Sequence, residues 1–463
     1  MMNRFVRIMT TMLSVLACAI LLGTTSLYAQ DAGAPAPAAT APLVPEAAPA
    51  AVPAPAKIDT GDTTWLLVST ALVLAMTAPG LALFYAGMVR SKNALGTIMQ
   101  SFIILCLISL QWVLWGYSLA FGPDKAHLIG GLEWIGLNGV GLEPNVDYAA
   151  TVPHQAFMIF QMMFAVITPA LMTGAFAERM KFGSFLVFTL LWATFIYDPL
   201  AHWVWAVGGW VRNMGALDFA GGTVVHISSG AAALACAIVL RKRLGYGKEH
   251  MAPHNLPMTV LGASLLWFGW FGFNAGSAVA SGALATSAFV VTNTAAATAA
   301  LAWMFVEWLY RGKPTVLGAA SGAVAGLVAI TPASGFVGPM ASIVIGLGAG
   351  VLCYGAVLWK SRLGYDDALD VVGIHGVGGI WGALATGLFA SKAINAAGAD
   401  GLFYGNPAQL GIQAMAVLIS VTFAFVGTFV ILKLVDGVMG LRVSEEEERM
   451  GLDLSQHEER SYS

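Results

Sequence analysis

The chain has 463 residues, of which 58% are hydrophobic and only 10% charged. A soluble domain carries about 25% charged residues, so this composition excludes an ordinary globular protein and describes one that lives in a bilayer. A net charge of −3 excludes nucleic acid as a partner on electrostatic grounds.

Arg4 and Arg7 precede an apolar run from Ile8 to Leu22, then small residues near Ala29. This pattern predicts a secretory signal peptide over 1–29. Residues 30–62 are rich in Ala and Pro with few charges, which predicts an extended linker outside the membrane.

Eleven apolar segments follow, each long enough for a hydrocarbon core of ~30 Å. They span 65–88, 97–121, 157–177, 185–207, 223–240, 257–277, 284–310, 315–332, 337–358, 370–390 and 408–436. The predicted fold is an all-α polytopic bundle occupying 63–437, followed by a tail over 438–463. With the N-terminus outside, the inner loops collect twelve basic residues: Arg90, Lys92, Arg179, Lys181, Arg241, Lys242, Arg243, Lys248, Arg311, Lys313, Lys360 and Arg362. The outer loops between spans hold three, Lys125, Arg212 and Lys392. That bias predicts N-out, C-in.

A short internal similarity links the two halves. FYAGM (84–88) ends the first span and FNAGS (273–277) the sixth, while TVVHISSG surrounds His226 in the fifth and VVGIHGVGG surrounds His375 in the tenth. Five spans per half inverts the second half against the first, plus one last helix. Inverted repeats place a substrate path at their interface, near the midplane.

An ionisable side chain in a membrane helix is expensive, so each candidate needs a reason. His226 and His375 enter from opposite faces, about 12 Å beyond Asp218 and about 7 Å beyond Asp370 at 1.5 Å per residue, so both reach into the membrane and could meet. Burial disfavours a charged imidazole, and a neutral one both donates and accepts a hydrogen bond. Two in line can hold a small polar molecule or pass a proton. No third ligand lies near them, so a metal site is not expected. Asp218 and Asp370 open their helices and read as caps for free backbone N–H groups. Phe160 and Phe164 lie four apart on one helix face. Trp205 ends the fourth span, either in the interfacial belt or lining a cation-attracting vestibule. Glu307, near the inner end of the seventh span, is the one mid-chain carboxylate that could serve an enzyme built on the histidines, and it reads better as a capping or interfacial residue. Cys18, Cys106, Cys236 and Cys353 all fall in apolar runs and read as packing residues.

DFAGGTVVHISSGAAAL (218–234), FQMMFAVITPALMTGAFAERMKF (160–182), PHNLPM (253–258), GWFGFNAGS (269–277), RGKP (311–314), GIHGVGG (373–379) and GLRVSEEEERMGLD (440–453) together resemble the ammonium transporter (Amt/Mep/Rh) family over roughly 63–455, most closely its bacterial Amt members. The resemblance implies eleven spans around a narrow pore, a homotrimer with one pore per subunit, and no cofactor. It implies that Phe164, Trp205 and Ser277 recruit ammonium, with Asp218 supporting them from beneath. Phe164 and Phe273 would form a stacked gate beside Phe160, and His226 and His375 the pore pair. It further implies a bacterial inner-membrane location, a tail docked on the cytoplasmic face, and a PII-type regulatory protein as a partner. The alternatives are an electroneutral ammonia channel of the Rhesus type, an ammonium sensor, and a membrane enzyme built on the two histidines. The cation site, the short tail and the missing third ligand weigh against them in turn.

Overall fold

The computed structural model describes residues 57–462. The signal peptide and most of the linker lie outside the described residues. Among these, ten helices are long and apolar enough to cross a membrane: α1 (Thr60–Met88), α2 (Ser91–Phe121), α3 (His154–Phe176), α4 (Phe182–Asn213), α5 (Gly222–Leu240), α6 (Leu256–Gly276), α7 (Ala283–Arg311), α9 (Pro339–Leu363), α10 (Val372–Phe389) and α11 (Pro407–Met439). The place of the eighth expected span is taken by α8, Val316–Ile330. Its 15 residues rise about 22 Å, short of a full crossing, and buried chain from Thr331 to Val337 continues it. Two small tail helices, α12 (Glu445–Met450) and α13 (Leu452–His457), complete the chain.

Local chemistry explains where the helices begin and end. Asp59 accepts the N–H of Asp62 at 2.9 Å and starts α1 at Thr60, inside the expected linker. Asn255 caps α6 through Met258 N, and Thr315 caps α8 through Gly318 N. Glu307 accepts from the backbone N–H and hydroxyl of Thr315 at 3.2 and 2.8 Å, so it fastens the α7–α8 turn. Gly312 and Gly364 end α7 and α9 with φ of +85° and +80°, the left-handed closure that glycine allows without strain.

Between α2 and α3 the chain makes two small antiparallel hairpins, β1 (Asp124–Lys125) with β2 (Ile129–Gly130), and β3 (Pro144–Asn145) with β4 (Ala149–Pro153). The bundle exterior is apolar, as at Leu110, Leu261 and Leu434, whereas Thr168, Asn274 and Thr292 are buried inside. Some internal polar groups pair across helices: Asn274 Nδ2 donates to Thr292 Oγ1 at 2.9 Å. That inversion suits a hydrocarbon solvent.

The acidic tail is only partly solvated. Glu445 and Glu446 are exposed, but Glu448 is buried and accepts from Leu244 N at 2.7 Å and from Arg442 Nη2 at 2.7 Å. Asp453 accepts the N–H of Gly96, and Asn93 that of Leu452, both at 2.8 Å. The tail is thereby docked on the bundle end that carries Arg90 and Arg243.

Candidate functional site

Five helices contribute π-turns, and two of these hold the histidines: Gly222–Ile227 in α5 and Val372–Gly376 in α10. A π-turn inserts a residue into the helical repeat and re-aims the side chains around it. The first is set up by Asp218, whose carboxylate is 9% exposed. Its Oδ1 accepts from Gly221 N at 2.8 Å and Gly222 N at 2.6 Å. Its Oδ2 accepts from Thr223 N at 2.8 Å, Val224 N at 3.2 Å and the Thr223 hydroxyl. Five donors on two oxygens make Asp218 the cap that its position suggested. They also occupy the carboxylate too fully for it to hold a cation directly.

The second π-turn is capped differently from the sequence reading. Asp370 points its carboxylate at Lys360 Nζ, 2.5 Å away, and Asp367 receives the free N–H of Val372 on Oδ2 at 2.8 Å. Lys360 stands at the end of α9 and outcompetes the neutral backbone for Asp370. Burial pushes the Asp367 carboxyl up to about 6, although Lys360 pulls in the opposite sense.

The two turns meet because glycines let their helices touch. A Cβ on Gly230 would fall 2.3 Å from the backbone of Gly376, so only hydrogen fits there. Above this crossing His226 Nδ1 lies 3.2 Å from His375 Nδ1, with ring centroids 5.3 Å apart. One Nδ1 must donate and the other accept, so one proton lies between them. The pair then offers one Nε2 acceptor and one Nε2–H donor. His226 Nε2 is buried without a partner.

Toward the other end the line is aromatic. His226 stacks on Trp270 at 5.4 Å and lies 6.0 Å from Phe273. Phe273 stacks on Phe164 at 4.3 Å, with 29° between the planes. Phe160 meets Phe164 edge-on at 5.1 Å, and Trp205 does so at 5.7 Å. The Trp205 indole donates to Asp218 O at 3.0 Å. Ser277, one turn beyond Phe273, gives its hydroxyl proton to Phe273 O at 2.8 Å, which leaves its lone pairs free to accept.

Ring contacts join Trp205, Phe160, Phe164, Phe273, His226 and His375 in one line, with Ser277 bonded to the Phe273 carbonyl and Asp218 tied to Trp205 through its own carbonyl. Trp205 and Ser277 are half-buried, while Phe160, Phe164, Phe273, His226 and His375 are no more than 3% exposed. The path runs from a half-open aromatic end, through stacked rings, to two imidazoles. Sequence reasoning missed Trp270 and Asp367. Trp270 stands three residues before Phe273, one helical turn away on the same face, and that spacing was its signal. Asp367 was hidden among the three aspartates of DDALD.

Residues 64–462 match the family model described as Ammonium Transporter Family. The ammonium transporter of Bacillus subtilis (strain 168) is 56% identical over 405 residues, covering 87% of this chain and 98% of that protein. Ammonium transporter Amt1 of Archaeoglobus fulgidus is 51% identical over 403 residues, covering 87% and 99%. Among solved structures, Candida albicans Mep2 superposes with a TM-score of 0.80 at 39% identity, over 84% of this chain and 88% of that one.

Proposed function

The chain belongs to the ammonium transporter family, and on that premise we propose that it draws ammonium to Trp205, Phe164 and Ser277, strips one proton, and conducts ammonia past His226 and His375 into the cytoplasm. It acts as a transporter and not as an enzyme, as the names of its relatives indicate.

The reading is carried by one observation: the stacked Phe164–Phe273 pair stands directly before two imidazoles that share a proton. Aromatic faces attract a cation, by about 0.5–2 kcal/mol each, and the Ser277 oxygen accepts one of its N–H bonds. Asp218 supports this group by holding the backbone that carries the Trp205 contact. Below it, the Phe164–Phe273 gate, flanked by Phe160, offers no polar partner, and an ion entering there loses its hydration uncompensated. Ammonium has a way around this barrier that potassium lacks. One N–H bond breaks, its electron pair stays on nitrogen, the proton passes to a water at the half-open end beside Trp205 and Ser277, and neutral ammonia enters the pore. There it meets the one donor and one acceptor of the histidine pair.

Matched π-turns around His226 and His375 support the inverted repeat. The basic loops favour an inner-membrane protein with its N-terminus outside and its C-terminus in the cytoplasm. A homotrimer would cover part of the apolar exterior. The docked tail would offer a PII-type protein a surface on the cytoplasmic face, and uptake would feed nitrogen assimilation.

The test is ammonium flux in proteoliposomes carrying His226→Ala or His375→Ala. Each variant should lose flux or lose discrimination against potassium. Wild-type flux and unaltered selectivity in both would sink the assignment of the pore pair.

A further inference from the structure

His202 is completely buried, one turn before Trp205 in α4. Its Nδ1 lies 3.0 Å from the carbonyl oxygen of Ala120, and its Nε2 lies 2.9 Å from Asp124 Oδ1. Both neighbours are acceptors. A neutral imidazole has one N–H, so one of its nitrogens would face an oxygen lone pair to lone pair. We infer that both ring nitrogens of His202 donate, that His202 is an imidazolium paired with Asp124, and that this pair positions Trp205 at the mouth of the path.

The extra proton belongs on the histidine. Asp124 is 22% exposed on its side chain, so water solvates its charge. Its other oxygen, Oδ2, accepts from the His127 backbone N–H at 3.2 Å and lies 3.1 Å from His127 Nδ1. A carboxylate there accepts from the His202 ring on Oδ1 and from the His127 backbone on Oδ2, and water solvates its remaining charge.

The positioning follows from what the pair holds. His127 Nδ1 also donates to Gly208 O at 2.7 Å. Gly208 has φ +96°, and a Cβ there would fall 2.6 Å from the Asp124 side chain, so the hairpin packs on bare backbone. Tyr148, which donates to Phe121 O at 2.8 Å, accepts from Val207 N at 3.4 Å. Residues 202, 207 and 208 are thus pinned to the α2–α3 segment, and Trp205 lies between them. Its carbonyl is held by Arg212 Nη1 at 2.7 Å. Of the other charged groups on this segment, Lys125 and Glu133 pair with each other at 2.5 Å. His202 and Asp124 touch no substrate on this account and act through Trp205. The inference therefore rests on the role proposed for Trp205.

The experiment has two arms on the full chain in lipid. In the first, ¹⁵N NMR of ring-labelled protein at about neutral pH reads His202, identified by its loss in His202→Gln. Wild type should show two protonated ring nitrogens, and Asp124→Asn only one, because the asparagine amide can donate to Nε2 of a neutral ring. In the second, ammonium uptake separates KM from the maximal rate. Asp124→Ala should raise KM about tenfold and leave the maximal rate within about twofold. Asp124→Asn, which keeps every hydrogen bond, should restore KM to within about twofold. A neutral His202 in the wild type would overturn the inference, as would unchanged KM in Asp124→Ala or an Asn variant as impaired as the Ala one. An imidazolium in wild-type protein that takes up no ammonium would overturn the positioning role together with the proposed function, and leave the proton count standing.

Discussion

Asp218→Asn is nearly isosteric, so its effect can be worked from the hydrogen bonds alone. The best placement of the amide puts its oxygen toward Thr223 N, Val224 N and the Thr223 hydroxyl, the three donors now on Oδ2. The NH2 group then faces the N–H groups of Gly221 and Gly222, which now donate to Oδ1 at 2.8 and 2.6 Å. Two charge-assisted bonds are lost at roughly 1.5–3 kcal/mol each, so the cost is about 3–6 kcal/mol. The loss falls on the π-turn that carries His226, while the Trp205–Asp218 bond, made to a backbone carbonyl, is spared. The variant should therefore unfold at a clearly lower temperature in detergent. Its ammonium flux in liposomes should fall through a misplaced His226. Thermal unfolding followed by tryptophan fluorescence, with flux on the same preparation, checks both. An unchanged unfolding temperature and wild-type flux together would refute the claim that this carboxylate organises the turn.

Asp367 has its pKa raised by burial, from 3.8 to about 6. An acid so shifted is best tolerated below its unfolded value, and the penalty grows as pH rises from about 4 to about 6, reaching roughly 3 kcal/mol. Asp367→Asn should thus stabilise the protein above about pH 6 and not at about pH 4, as measured by unfolding temperature across pH; equal effects at both would contradict this. His457 has its pKa lowered by burial, against the pull of Asp453 and Glu459, and stacks edge-on against Phe182 at 4.9 Å. Its contribution to tail docking is present while the ring is neutral and fades as acidification charges it. Corrected for the intrinsic pH dependence of amide exchange, protection over 444–457 should fall as acidification charges His457; protection unchanged on acidification would remove His457 from the docking account.

Much of the fold was legible because membrane helices announce themselves by length and apolarity, and the expected spans match the observed helices within a few residues for most elements. The exception, α8, is short because Thr331–Val337 packs as buried turns, and apolar composition does not distinguish that from helix. The path was legible where sequence spacing translates directly into depth: Phe160 and Phe164 four apart, His226 eight beyond Asp218. It was illegible where function depends on contacts between distant segments. Nothing near Asp370 shows that Lys360 captures it and leaves Asp367 to cap the helix. Nothing in EEEERM distinguishes Glu448, buried on Arg442, from its exposed neighbours. The imidazolium at His202 needs an oxygen 78 residues away, and no local pattern carries that.

The central claim is that a dry, histidine-lined pore passes ammonia derived from ammonium and refuses other cations. The most direct measurement is the current across a membrane holding purified protein after a step in ammonium, with potassium as the control and internal pH followed in parallel. The account predicts nitrogen entry on the ammonium step and no current on the potassium step. An inward current with the ammonium step would mean that the stripped proton follows through the protein, and internal alkalinisation without current would mean that it stays outside. A potassium current comparable to that of ammonium would contradict the account, because a pore that carries both is not selecting by proton removal.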